Sequence, residues 1–130
     1  LAHPLGAMYR AGGARLHRDL FLNALRTVHV SPMLRAPMPS CGRVSLVHQP
    51  ERRRYVAHLL YAPPIQRGGV LVLEDLVPVQ GVTVELRVPE KITAAFTALP
   101  KKTVKLARGK GAVSVAGVTV SCHTMVVFRY

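Results

Sequence analysis

Tryptophan is absent from the 130 residues, and aromatic side chains make up only 5% of them. A surface that holds nucleic acid by stacking needs rings set along a basic groove, and this chain has little to build one from. Acids are also scarce: six Asp and Glu stand against eighteen Lys and Arg, for a formal net charge of +12. That excess attracts polyanions whatever the fold. The bases are spread along the chain, however, with Arg52-Arg53-Arg54 the longest run and Lys101-Lys102 the next. A basic solvated surface is therefore expected before a nucleic-acid site.

Cys41 and Cys122 are the only cysteines, fewer than a small disulfide-stapled secreted domain uses. Reduced, partly buried thiols are expected, with one inter-strand bridge as the alternative. No apolar run approaches the roughly 20 residues of a membrane helix, and Leu1-Ala2-His3-Pro4 carries no basic region leading into an apolar core. Neither a membrane partner nor a signal peptide is expected, which points to a cytoplasmic location. The lack of an initiating Met points to a piece of a longer chain.

Few acids also leave few routes to catalysis. Glu74 and Asp75 are neighbours, and neighbours on a strand face opposite ways. Glu51 and Glu90 fall in turns, and Glu85 lies on the polar face of an alternating run. Six histidines and two cysteines contain no Cys-x-x-Cys or His-x-x-x-His spacing, so nothing supports zinc. His58, among apolar neighbours, reads as a hydrogen-bonded core or edge residue, and His123 as a turn cap or edge contact. No Gly-x-Ser-x-Gly occurs, and the glycines of Arg108-Gly109-Lys110-Gly111 sit between strands rather than before a helix. The expectation is no catalytic residue, no cofactor and no metal.

What the chain does have is apolar pattern. Hydrophobic residues at 49% and a mean hydropathy of +0.23 exclude a disordered chain and suit one domain with a single core. Within residues 41–61, two β-prone runs, Val44–Val47 and Tyr55–Tyr61, flank the polar turn Gln49-Pro50-Glu51-Arg52-Arg53, a hairpin signal. The second run is apolar on both faces and reads as a central strand. From Ala14 to about Val28, Leu16, Leu20, Ala24 and Val28 recur at helical spacing, widened by Phe21 and Leu25. This is one amphipathic helix, and Leu16, Leu20, Phe21 and Leu25 are its candidate docking face. Residues 1–13, with Pro4, Gly6, Gly12 and Gly13, read as an irregular lead-in.

Three prolines within residues 31–42 exclude helix there and mark a linker. After a loop at 62–69, strands are expected at Val70–Val77, Val82–Val88, Ile92–Leu99, Thr103–Ala107, Ala112–Val120 and Thr124–Tyr130, with Gly117 marking a bulge or bend. The fold class is all-β: an antiparallel β-sandwich of about seven or eight strands, preceded by one amphipathic helix. Residues 1–40 form the helical lead-in and Pro-rich linker, and residues 41–130 the sandwich.

The runs Arg54-Tyr-Val-Ala-His-Leu-Leu-Tyr61, Leu73-Glu-Asp-Leu-Val-Pro-Val79, Val82-Thr-Val-Glu-Leu-Arg-Val88 and His123-Thr-Met-Val-Val-Phe128 resemble the C-terminal end of large bacterial glycoside hydrolases. They are similar to the trimeric β-galactosidases of glycoside hydrolase family forty-two and their relatives. The resemblance implies that residues 41–130 are the small C-terminal sandwich. The helix at 14–28, with Tyr9-Arg10 ahead of it, would be the last helix of a middle trimerisation domain. It implies no catalytic residue here, because that family's catalytic carboxylates lie on a barrel that this chain lacks. The partners it implies are the catalytic barrel and trimerisation domains of a parent chain, with a homo-oligomer left open.

Three functions therefore compete. The first is a structural, non-catalytic accessory domain. The second is a stand-alone basic domain binding a polyanion through Arg52, Arg53, Arg54, Lys101, Lys102, Arg108 and Lys110. The third is a carbohydrate-binding module using Tyr55, Tyr61 and Tyr130, should their rings be co-facial.

Overall fold

The fold is that of a computed structural model, which describes residues 3–130. Leu1 and Ala2, at the head of the expected lead-in, lie outside the described residues. The chain divides into two compact units, one ending at Pro32 and the other running Met33–Tyr130.

The first unit is a pair of helices packed on one another, α1 (Leu5–Gly12) and α2 (Arg15–Val28). α2 matches the periodic segment. α1 replaces irregular chain, because Pro4 stands just ahead of the first turn, where its missing N–H costs nothing. Gly13 then closes that helix in a left-handed conformation, donating its N–H to the Tyr9 carbonyl at 2.7 Å.

The second unit is a two-layer antiparallel sandwich. One sheet has four strands in the order β1 (Leu34–Arg35), β6 (Val79–Leu86), β10 (Ala112–Val120), β9 (Leu106–Gly109). The other has five, ordered β2 (Arg43–Gln49), β3 (Arg54–Tyr61), β11 (Cys122–Arg129), β7 (Ala94–Ala98), β8 (Lys101–Thr103). A separate two-stranded ribbon joins β4 (Ile65–Arg67) to β5 (Val70–Val72). The expected hairpin is β2–β3, in register Val47 opposite Val56, turned by a short 3-10 segment at Pro50–Arg52.

Alternation fixes which face each strand buries. Val82, Val84 and Leu86 of β6 are buried, as are Tyr55, Ala57 and Leu59 of β3 and Val126 and Phe128 of β11. With Val115, Val118 and Val120 of β10 they form one core between the sheets. Each large side chain buried there contributes about 1.5–3 kcal/mol. Gly117 is the expected bulge: pairing with β6 slips between Val115 and Val118, and φ at Gly117 is 73°, open to glycine and costly to other residues.

Three segments differ from expectation. The Pro-rich stretch is more than a linker, because β1 pairs with β6 and Leu34, Ala36 and Met38 pack on the core. Proline is tolerated at such an edge, where no inner ladder needs its N–H. Residues 62–69, expected as a loop, begin the β4–β5 ribbon, and 73–78 lie outside any strand. The expected strand at 103–107 is split: 101–103 pairs with β7 in one layer and 106–109 with β10 in the other. The short β1 and β8 are the edges that bring the two sheets to more strands than the pattern suggested.

Candidate docking surfaces

The apolar stripe of α2 is open within its own unit. Leu16 is 74% exposed, and Leu20, Phe21 and Leu25 are each close to half exposed. All four candidate docking residues thus present carbon to solvent, Leu16 the most. On the polar side Asp19 takes hydrogen bonds from Arg15 and Arg18 at 3.1 and 2.8 Å. The Arg18 hydrogen bond is the chief reason its carboxyl is held below the usual carboxylate range.

A second open apolar surface went unseen in the sequence. Ile65, Val70, Leu71, Leu73, Leu76 and Val77 are all exposed around the β4–β5 ribbon. The sequence predicts one strand over Val70–Val77, whereas only Val70–Val72 is strand and the apolar residues that follow it lie open. Arg67 pairs with Glu74 at 2.7 Å and staples the ribbon to the segment that follows.

The carboxylates do not converge. Glu85 pairs with Arg87, Glu74 with Arg67, Asp19 with Arg15 and Arg18, and Glu90 accepts the Tyr55 hydroxyl. Among the described residues no group of three His, Cys, Asp or Glu side chains is placed to hold a metal. Cys41 and Cys122 are free and exposed, not partly buried as expected. Cys122 sits at the corner where the chain passes from β10 to β11, with φ of 55°.

The seven candidate polyanion contacts are dispersed. Arg52, Arg53 and Arg54 cluster at the β2–β3 turn, where Arg54 donates to Gln49 Oε1 at 2.6 Å and Arg53 lies over the Tyr130 ring. Arg108 donates to the Ile92 carbonyl at 2.8 Å, and Lys110 lies in the turn between β9 and β10. Lys101 and Lys102 belong to β8, across the larger sheet from the β2 edge, and as neighbours they face opposite ways.

The tyrosines form no platform. Tyr55 is buried and stacked under His48 with ring centroids 4.1 Å apart, and Tyr130 is tilted 47° from it. Tyr61 is half-buried and packs on the core. His58 is hydrogen-bonded as expected, through Nδ1 to His123 Nε2 at 3.0 Å.

No family model matches the chain, and no curated protein does. Among solved structures, the chain is similar to alpha-L-fucosidase isoenzyme 2 from Paenibacillus thiaminolyticus, with a TM-score of 0.90 and 32% identity. The likeness supports a glycoside hydrolase domain. It does not single out the trimeric β-galactosidase family. It covers 97% of this chain, which spans 20% of that fucosidase chain. That share is consistent with a small accessory piece and with a non-catalytic fragment. Among the described residues no helix is long and apolar enough to cross a membrane.

Proposed function

We propose that this chain is a non-catalytic accessory β-sandwich of a glycoside hydrolase, serving contacts between domains and within an oligomer of its parent enzyme. The carrying observation is the near-complete likeness of this chain to a stretch amounting to 20% of a fucosidase chain. The open stripe of α2 supports the reading, since Leu16, Leu20, Phe21 and Leu25 are exposed; covering the half-exposed Leu20, Phe21 and Leu25 would contribute about half of the 1.5–3 kcal/mol of a fully buried side chain each, and Leu16 more, before ordering costs. The resemblance to trimeric β-galactosidases names the partners: a catalytic barrel and a trimerisation domain.

Leu20→Asp in the intact parent enzyme tests this. The expected result is a lower melting temperature for the assembly while the sandwich itself melts as before. An assembly that melts unchanged overturns the docking role, and hydrolysis of aryl glycosides by the 130-residue chain alone overturns the non-catalytic one.

A further inference from the structure

The larger sheet has an outward face of unusual composition. Residues paired across antiparallel strands share a face, so the pairings Val47–Val56, Val56–Val127 and Val127–Phe96 draw one apolar row across four strands. This row points away from the core, because Ala57, Leu59, Val126 and Phe128 point into it. Val56 and Val127 are nonetheless only 5% and 3% exposed, while Val47 at the sheet's edge stays open. The centre of the face is a groove of about 280 Å³.

Basic side chains border the row on both sides. Arg54 pairs with Arg129 on one side of it, and Lys101 flanks the groove on the other. Arg129 and Lys101 lean over the Phe96 ring at 5.3 and 5.7 Å from its centroid. None of the five strands of this sheet contains an Asp or Glu. An apolar strip with cations on either side and no acid to neutralise them is complementary to an apolar strip flanked by carboxylates.

We propose that this face is a docking site for an acidic amphipathic helix of a partner protein. Its apolar side would enter the groove floored by Val56, Phe96 and Val127, and its carboxylates would meet Arg54, Arg129 and Lys101. The spacing suits a helix. Strands lie roughly 4.8 Å apart and a helix turn rises about 5.4 Å, so a helix laid across the strands sets one apolar residue near each strand. A second copy of this chain is a poor occupant. Its exposed helix α2 carries Arg15, Arg18 and Arg26, and its one acid, Asp19, already serves two of them. Nucleic acid fits no better, since the middle of the face is aliphatic and a single ring gives no row on which bases could stack.

The inference stands apart from the accessory-domain reading and is tested on the 130-residue chain. The probe is a fluorescein-labelled 18-residue peptide with Leu at i, i+4, i+7 and i+11 and Glu on both flanks, followed by anisotropy at physiological salt. Saturable binding is expected, weakened roughly tenfold by Arg129→Glu and by Lys101→Glu. Both positions are exposed, so either variant can read the face if the other fails to fold. Arg52→Glu and Lys110→Glu change the net charge equally and should leave affinity within about twofold. Amide shifts should centre on Val56, Phe96 and Val127. Equal binding of a peptide with Ser in place of Leu overturns the proposal. So does equal loss in all four charge variants, tighter binding of a heparin fragment to the same amides, or self-association of the chain through this face.

Discussion

The Tyr55 hydroxyl donates a 2.8 Å hydrogen bond to Glu90 Oε2, tying the start of β3 to the connection between β6 and β7. The ring lies under His48, whose Nε2 shares a 2.9 Å hydrogen bond with the Tyr130 hydroxyl. Burial first, and the Glu90 hydrogen bond second, push the Tyr55 phenol up to about 12. A folded value above the unfolded one means that the neutral phenol's stabilisation is complete below pH 10 and fades as pH climbs through 12. Tyr55→Phe should cost about 1.5–3 kcal/mol at neutral pH, because Glu90 loses its donor. The gap between wild type and variant in chemical unfolding should close between pH 10 and 12; a constant gap would refute this account.

Leu59 and Leu60 are neighbours with opposite fates. Leu59 is 0% exposed between the layers and Leu60 is 43% exposed on the outward face. Leu59→Ala should cost about 2–5 kcal/mol through lost burial and a residual cavity. Leu60→Ala should stay within about 1 kcal/mol. Urea midpoints of the two variants compare them directly, and similar losses would mean that the two faces of β3 are assigned wrongly.

Gly42 closes a tight turn at the end of the Pro-rich segment, donating its N–H to the Pro39 carbonyl at 2.8 Å. A Cβ at that residue would lie 2.8 Å from Met38 Cβ and 3.0 Å from the Pro39 carbonyl oxygen. Met38 packs on the core, so it cannot yield freely. Gly42→Ala should destabilise by about 1–3 kcal/mol through overpacking, read as a lower midpoint with an unchanged m-value. No change in midpoint would show that the turn adjusts without cost.

Much of this fold was legible because its strands repeat with period two. Val82, Val84 and Leu86 alternate, and they are the residues β6 buries. The β2–β3 turn and the Gly117 bulge likewise carried local chemical signals. α1 was missed because Pro4, Gly6 and Gly12 act as breakers on average, yet Pro4 and Gly13 here stand at the helix ends. β1 was missed because two residues at a sheet edge leave no periodic trace. The Tyr55–Glu90 contact spans 35 residues, and no spacing rule reaches so far. The acid-free outward face was equally hidden: its residues come from five strands and share a side only once the pairing register is known.

The placement of β11 has a bearing on how the domain is made. Among the described residues it comes last of the eleven strands, yet it lies in the middle of the larger sheet, paired on one flank with β3 and on the other with β7. A chain emerging from the ribosome can close the β2–β3 hairpin early, but β7 and β8 have nothing to join until residues 122–129 appear. Assembly of that layer therefore waits until residues 122–129 have been made, and a chain cut at Val120 would hold two unjoined fragments of it with their greasy faces uncovered.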